Sequence, residues 1–286
     1  MARIKVLWLS FLALLLSNCE NPVITDDDRM EPQGNLKVSI YQIEQTPFSA
    51  LTRAESGIAC SRLNFIVYDE SGSRLNQVSQ KVEEPGFGTT AFQLEEGIYQ
   101  LVVVGHSASG NPTTTNLSKI QFTNATGYTD TFLCYGEITI GEEPVDYEVS
   151  LDRIVALCRF VITDDIPSEV RKLRFYYTGG SGAFNAVTGL GSVASKQTVT
   201  FDVTPSGSKQ FDLYTFLHNP SDNIALTVSA LDASGVEITQ RTFDVPLATN
   251  NITWLSGDFF SGSNIQSASF DLSIDTQWAA ESHLAY

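Results

Sequence analysis

Apolar and polar side chains alternate through most of the chain, starting at Leu36. Leu36, Val38 and Ile40 fall on one side of the extended segment 36–43, and the residues between them fall on the other. Similar segments recur roughly every 10–15 residues, with Gly, Pro, Asn or Asp between them. The further strand candidates are 63–67, 98–104, 145–151, 154–162, 170–178, 196–204, 209–217, 224–231, 236–245, 251–260 and 268–276. This spacing predicts an all-β fold of the β-sandwich type.

The number of strands predicts two sandwiches in tandem. One sandwich of seven or eight strands occupies about 100–130 residues, so we place the domains at 36–151 and 152–286. Two segments, 63–75 and 226–238, share the order strand, Asp-x-Ser-Gly turn, strand. This hairpin type is common, so the echo does not by itself establish a duplication.

The first eighteen residues form a predicted signal peptide. Arg3 and Lys5 precede an apolar run over 6–16, which at about 1.5 Å per residue is too short for a hydrocarbon core of about 30 Å. A basic start followed by such a run is typical of a secretory signal. The run ends in Leu-Ser-Asn-Cys, which resembles a bacterial lipobox, although Gly or Ala is commoner before the Cys. We predict lipidation of Cys19; the alternative is an ordinary cleaved signal beside an incidental Cys.

Residues 19–35 are predicted to be a solvated tether. The acidic run Asp26–Asp28 has no alternating carboxylates closed by a Gly and a Glu, as a calcium loop requires. Acidic residues soon after a lipidated Cys resemble the surface-export signal of Bacteroidetes lipoproteins. That likeness favours the exterior of the cell over the periplasm.

Composition narrows the classes of function. The net charge is −16, which argues against a nucleic-acid binder that must neutralise phosphates. Charged residues make up 17% of the chain, against about 25% in an average globular protein. That shortfall disfavours a helical bundle and fits sandwiches with turns rich in Gly, Ser, Thr and Asn.

The residues that could carry chemistry favour structural roles. The chain has no Gly-x-Ser-x-Gly elbow, and we interpret His106 and His218 as structural residues at strand ends, while His283 has no evident partner. The formal G-x-G-x-x-A match at 189–194 precedes a strand candidate rather than a helix, so it lacks the helix N-terminus that holds a pyrophosphate. We therefore expect no enzyme activity, no metal site and no cofactor beyond the lipid on Cys19.

Three cysteines remain after Cys19. Cys158 alternates with Ala156 and Phe160, which predicts a core position. In an oxidising export route, Cys60 and Cys134 could form a disulfide or stay as free thiols. The sequence leaves both states open.

The carboxy-terminal segment has the pattern of one more strand. Phe270, Leu272 and Ile274 alternate with polar residues before Trp278. Such a strand either closes its own sheet or pairs with another subunit, because an unpaired strand edge is a template for strand addition. Both interpretations remain open at this point.

Several stretches together resemble one family. They are LNFIVYDESG (63–72), EEGIYQLVVVGHS (95–107), SLDRIVALCRFVITDDIP (150–167), FYYTGGSGAFNAVTGLG (175–191), NNITWLSGDFF (250–260) and the FDLSIDTQW ending. Their order and spacing are similar to the FimB-type fimbrial subunit family, the anchor proteins of Bacteroidetes type V fimbriae. The resemblance implies two transthyretin-like β-sandwich domains in an outer-membrane lipoprotein at the base of a fimbrium. It also implies assembly with fimbrial stalk subunits by strand exchange.

The resemblance assigns roles to both terminal strands. The segment 36–43 would be a retained first strand, and 268–278 would be offered to the last stalk subunit. Arg29 precedes 36–43 and Arg53 follows it; cleavage after Arg53 would remove the strand and define a polymerising stalk or tip subunit instead. A surface glycan-binding lipoprotein is the other alternative, although the loops 107–117 and 178–195 carry few aromatic residues for a sugar platform.

Overall fold

The computed structural model describes residues 33–44, 46–47, 60–261, 267–268 and 280–285. In these ranges the regular elements are β-strands, which confirms the predicted all-β fold. None of these residues belongs to a helix that is long and apolar enough to cross a membrane.

The strands fall into two halves, 36–153 and 156–257, followed by two short terminal strands. The first half contains β1 (Leu36–Ile43), β2 (Thr46–Pro47), β3 (Arg62–Tyr68), β4 (Arg74–Lys81), β5 (Thr89–Phe92), β6 (Gly97–His106), β7 (Thr113–Asn116), β8 (Lys119–Gln121), β9 (Thr131–Ile140) and β10 (Val145–Arg153). The second half contains β11 (Ala156–Ile162), β12 (Lys172–Thr178), β13 (Ala183–Phe184), β14 (Gln197–Asp202), β15 (Gln210–Thr215), β16 (Ser221–Leu231), β17 (Glu237–Ala248) and β18 (Asn251–Gly257). The terminal strands are β19 (Ser267–Ala268) and β20 (Ala280–Ala285).

Each half repeats the same strand order. Three strands form one layer, in the order β5-β1-β10 and again β15-β11-β18. Four strands form the other layer, in the order β4-β3-β6-β9 and again β14-β12-β16-β17. In the first half the end of β10 also pairs with β9, at Asp152 and Arg153, so the two layers join into one sheet. In both halves the first strand runs parallel to the last, while its other neighbour is antiparallel.

Alternate apolar side chains from the two layers meet in one core per half. The first core includes Leu36, Val38, Phe65, Val103 and Val149. The second core is rich in aromatic residues around Phe160, whose ring contacts those of Phe175, Phe243 and Phe259 edge-on at centroid distances of 5.4 to 5.9 Å. Such edge-to-face pairs contribute beyond the area they bury.

The two similar hairpins occupy different positions in the two halves. Counted along the chain, the three-strand and four-strand layers of each half contain seven strands. The hairpin at 63–75 is β3–β4, the second and third of these strands in the first half, whereas that at 226–238 is β16–β17, the fifth and sixth in the second half. Their likeness comes from turn chemistry: Asp69 accepts the Ser73 N–H and Asp232 the Val236 N–H, each at 2.9 Å. Gly72 and Gly235 supply the positive φ, 80° and 81°. The echo therefore does not mark equivalent positions of a repeat.

A third apolar cluster joins the halves. It combines Ile66 and Val104 from the first half with Leu157, Phe184 and Ile252 from the second. Strand pairing also crosses between the halves, because β13 pairs with β8. Both halves belong to a single compact unit, so a domain boundary at Leu151–Asp152 stays a prediction.

A buried ion pair holds the connection between the halves. Only Ile154 and Val155 separate β10 from β11. The Arg153 guanidinium, 6% exposed, donates two hydrogen bonds to the Asp130 carboxylate, from Nε at 2.7 Å and from Nη2 at 2.9 Å. Its Nη1 donates to Asn250 Oδ1 of the second half at 3.2 Å, and its backbone N–H donates to the Glu44 carboxylate after β1. We call Arg153 and these three partners the junction cluster.

We predict that Asp130→Asn destabilises the protein. The substitution leaves the Arg153 charge buried without its carboxylate, which costs about 3 kcal/mol in comparable cases. The matched control is Asp165→Asn, which removes the pair between a fully exposed carboxylate and Lys209 at 3.1 Å and should change stability by less than about 1 kcal/mol. Urea denaturation at pH 7 measures both, and equal effects of the two substitutions would contradict the prediction.

Candidate strand-exchange site

Strand β1 lies inside its sheet rather than at an edge. On one side it pairs in parallel with β10, from Leu36 opposite Val145 to Ile43 opposite Leu151. On the other side it pairs antiparallel with β5 over residues 36–39 and with β2 at its end. β1 therefore has hydrogen-bonded neighbours on both sides over most of its length, with a register shift at Tyr41.

The inward side of β1 is the one that alternation predicts. Leu36 and Val38 are fully buried and Ile40 nearly so, whereas Tyr41 is 49% exposed. Fully burying one such aliphatic side chain contributes about 1.5–3 kcal/mol. Removal of this strand would open a groove between β10 and β5, lined by the first core.

Both ends of β1 are fixed by specific contacts. The Asn35 side-chain amide exchanges two hydrogen bonds with the Leu94 backbone, at 2.8 and 2.9 Å, and the Asn35 backbone carbonyl accepts the Val145 N–H at 2.8 Å. A Cβ on Gly34 would lie 2.4 Å from the Phe92 carbonyl oxygen, so only glycine fits there. At the other end, the Glu44 N–H donates to the Leu151 carbonyl at 2.7 Å.

The carboxy-terminal strand lies on the second half. The backbone of β20 pairs in parallel with β18, from Ala280 opposite Asn251 to Ala285 opposite Ser256, and β19 pairs with β20. His283 therefore sits opposite Trp254 in register. The strand-exchange candidates Phe270, Leu272, Ile274 and Trp278 lie outside the described residues, as do Cys19, Arg29 and Arg53.

A carboxylate fixes the chain where it leaves β18. Asp164, just after β11, accepts the backbone N–H groups of residues 259–261 at 2.7 to 2.9 Å and the Ser261 hydroxyl at 3.0 Å. Burial by itself would raise the pKa of Asp164, but these hydrogen bonds outweigh it and hold the pKa below the usual value. We call this arrangement the exit clamp. Sequence reasoning missed it, because residues about 95 positions apart form it.

The two central histidines have structural roles, as the sequence predicts. His106 is fully buried at the end of β6, where its Nδ1 accepts the Ala108 N–H at 3.2 Å and its ring meets Phe122 edge-on. Burial, and secondarily the positive charge of Arg62, lowers the pKa of His106 to about 4. His218 is half-buried, and its Nδ1 lies 2.9 Å from the Gly191 carbonyl oxygen.

The three described cysteines are free thiols, so the Cys60–Cys134 disulfide is not formed. Burial, together with the charge of a nearby aspartate, raises the pKa of Cys60 and of Cys158 to about 12 and that of Cys134 to about 11. The thiolate form that reacts is therefore disfavoured at all three positions. In the described ranges, no group of three or more His, Cys, Asp and Glu residues could hold a metal ion.

The glycine-rich loop 178–195 and the loop before β8 contact each other where the two halves meet. The Ala186 N–H donates to the Leu117 carbonyl at 3.0 Å, and β13 pairs with β8. Residues 189–194 lead into β14, a strand, as the sequence predicts. A Cβ on Gly191 would lie 2.7 Å from the Ser181 Cβ, so close packing explains this glycine without a bound phosphate.

Comparison with known proteins assigns the chain to a family. A family model described as a family of unknown function, DUF6562, matches residues 31–285, so the chain belongs to that family. No curated protein matches the sequence.

Solved structures of Bacteroidetes surface proteins are similar to this chain. A candidate adhesin from Bacteroides ovatus is 16% identical, with 73% of this chain and 82% of the other covered at a TM-score of 0.48. The fimbrial anchor protein Mfa2 from Porphyromonas gingivalis is 12% identical, with 72% and 80% covered at 0.40. A fimbrial assembly protein from Parabacteroides distasonis is 15% identical, with 79% and 91% covered at 0.38.

We predict that His106 makes stability depend on pH between about 4 and 6.5. Its pKa is lower in the folded protein than in the unfolded chain, whose value is about 6.5. The unfolded state therefore binds more protons in this window, and the free energy of unfolding falls as the pH falls. From pH 7 to 4.5 the contribution lost is about 2–3 kcal/mol.

Urea denaturation of the wild type and of His106→Gln at both pH values tests this prediction. The variant should lose less stability between pH 7 and 4.5, because it has no imidazole to protonate. His218→Gln is the control and should follow the wild type. Parallel pH profiles for the wild type and His106→Gln would refute the prediction.

Proposed function

We propose that this protein is an outer-membrane lipoprotein that anchors a fimbrium, or helps to assemble it, by joining the shaft to the cell surface through β-strand exchange. The proposal starts from the resemblance to the FimB-type family, which extends over nearly the whole mature chain. The lipobox-like Leu-Ser-Asn-Cys sequence, which precedes an acidic segment, supports attachment to a membrane. Together these features describe a surface-exposed protein held by the lipid on Cys19.

The position of β1 is the observation that carries the anchor role. In the uncleaved chain β1 is an interior strand with Leu36, Val38 and Ile40 in the core. A subunit that keeps this strand has no open groove and cannot accept a donor strand there. It therefore ends a series of exchanged strands, which is the task of an anchor.

The second part of the proposal concerns the carboxy-terminal segment, which would be offered to a stalk subunit. The seven strands of the second half end at the exit clamp at residues 259–261, and β19 and β20 pair beside β18 further along the chain. The segment 268–278 precedes β20 and has alternating apolar residues. A strand of this length can pair its backbone along a sheet edge and insert alternate side chains, so that many modest contributions add up. We propose that stalk subunits bind this segment.

Deleting residues 265–286 should abolish attachment of the fimbrial shaft. The deletion removes β19 and β20 and leaves β18 paired with β11 alone, but it keeps the exit clamp and the seven strands of the second half. We therefore expect a folded lipoprotein that remains on the cell surface. Electron microscopy of the cells, with surface labelling of the lipoprotein, measures both properties. Shafts that remain attached to cells of the deletion strain would overturn the strand-exchange role.

Cys19→Ala should release the protein and its fimbriae into the medium. A lipidated cysteine holds a protein at the membrane through its acyl chains, and stable attachment requires more than one chain. Fractionation of cells and medium measures the outcome, with Cys134→Ala as the control that removes a cysteine from the folded part. Membrane association unchanged by Cys19→Ala would contradict the lipid anchor.

The amino terminus of the mature protein separates the anchor from a stalk or tip subunit. An anchor retains residues 36–43, whereas cleavage after Arg53 removes them and frees the groove between β10 and β5. Mass spectrometry of the protein isolated from membranes identifies the first residue. A mature chain that starts at residue 54 would replace the anchor role with a polymerising one.

A further inference from the structure

The parallel strand pairs have a special place in this fold. Among the described strands, the pairs β1–β10, β11–β18 and β18–β20 are parallel, and the other pairings are antiparallel. The first two pairs join the first and last strands of each half. Every other strand of a half lies between these two in the sequence.

Parallel pairing places the entry and the exit of each half at opposite ends of the pair. The chain enters β1 at Leu36 and leaves β10 at Arg153; it then enters β11 at Ala156 and leaves β18 at Gly257. A pull on entry and exit slides the two strands along each other. The hydrogen bonds between parallel strands are evenly spaced, regularly so in β11–β18 and with one register shift at Tyr41 in β1–β10. Such a pull loads the bonds of the pair together.

Antiparallel hairpins respond differently to the same force. In the hairpin β3–β4, Arg62 lies opposite Lys81 at the open end, on neighbouring strands. A pull on these two ends loads the terminal hydrogen bonds first and opens the hairpin one pair at a time. The same number of hydrogen bonds therefore resists less force in this direction.

Side chains reinforce both parallel pairs. Gln42 donates to the Ser150 hydroxyl across β1–β10 at 3.0 Å. In β11–β18, Arg159 lies opposite Trp254 and its guanidinium stacks over the indole ring at 4.9 Å. The hydrogen bonds of Asn35 and the exit clamp fix the chain at the outer ends of the two pairs.

We propose that this fold carries tension between its two chain ends, through the shear-loaded pairs β1–β10 and β11–β18 acting in series. The junction cluster connects the pairs, because the link between them is two residues long and Arg153 binds partners in both halves. The use of this property in the cell rests on the proposed anchor function, in which the lipid pulls at the amino end and the shaft at the carboxy end. The mechanical property belongs to the purified protein and does not depend on that function.

Single-molecule force spectroscopy on the mature chain tests the proposal. One protein carries handles at Gln33 and Ser263, and the other at Ser61 and Lys81, at the open end of the hairpin β3–β4. Encoded azide residues attach the handles, because Cys60, Cys134 and Cys158 are native thiols. Urea denaturation first establishes that both proteins have the same free energy of unfolding, so that a difference in force reflects direction alone.

At one pulling speed, we expect a several-fold larger first unfolding force with the Gln33 and Ser263 handles. The length released in that event should correspond to residues 36–153, to residues 156–257 or to both, because each pair encloses its whole half. Equal forces in the two directions, or a first event that releases less than one half, would overturn the proposal. Loss of the shaft after deletion of 265–286 is an independent result, so failure here and failure of the anchor function are distinguishable.

Discussion

Pairing of the first strand with the last, in the same direction, holds each half of this protein together. Leu36 lies opposite Val145, and Leu157 lies opposite Ile252, so each pair closes a loop of about 100 residues. Closing such a loop costs chain entropy that only the contacts across the pair and the core can offset. The inward side chains of β1 and β11 supply part of this compensation, because they pack in the two cores against side chains of the other strands.

The two halves are joined by apolar packing and by one buried polar cluster. The apolar cluster that contains Ile66, Val104 and Leu157 covers sheet faces that would otherwise meet water. Arg153 also fixes the relative orientation of the groups around it, because its planar guanidinium donates hydrogen bonds to both Asp130 and Asn250. A buried ion pair of this kind contributes less to net stability than its distances suggest, since both charges lose hydration. Its clearer effect is to fix how the short link between β10 and β11 is held.

Side chains fix the backbone at the start of the first parallel pair and at the end of the second. Asn35 binds the Leu94 backbone at the start of β1, and Asp164 binds the backbone of residues 259–261 just after β18. At both points a polar side chain binds backbone groups beside a parallel strand pair. The proposed anchor function depends on β1 being paired on both sides. The proposed resistance to tension depends on β1 and β10, and β11 and β18, running in the same direction.

The sequence by itself determined the local features of this protein. A period of two places successive side chains on opposite faces of a strand, so Leu36, Val38 and Ile40 were assigned correctly to the inward face. Turn residues likewise predicted the hairpins at Asp69 and Asp232, because their hydrogen bonds lie within a few residues.

Only the tertiary structure decided which strands are neighbours. The parallel pairs, the Asp164 clamp and the junction cluster join residues that are tens of positions or more apart, and alternation contains no information on such partners. For the same reason, the spacing of Cys60 and Cys134 does not show whether they form a disulfide. The two similar hairpins suggest a repeat, but they occupy different places in the strand order of the two halves. In β3, which is buried on both faces, the alternation is lost. The segment around β7 and β8 and the second half together cover a face that would otherwise be polar and in contact with water.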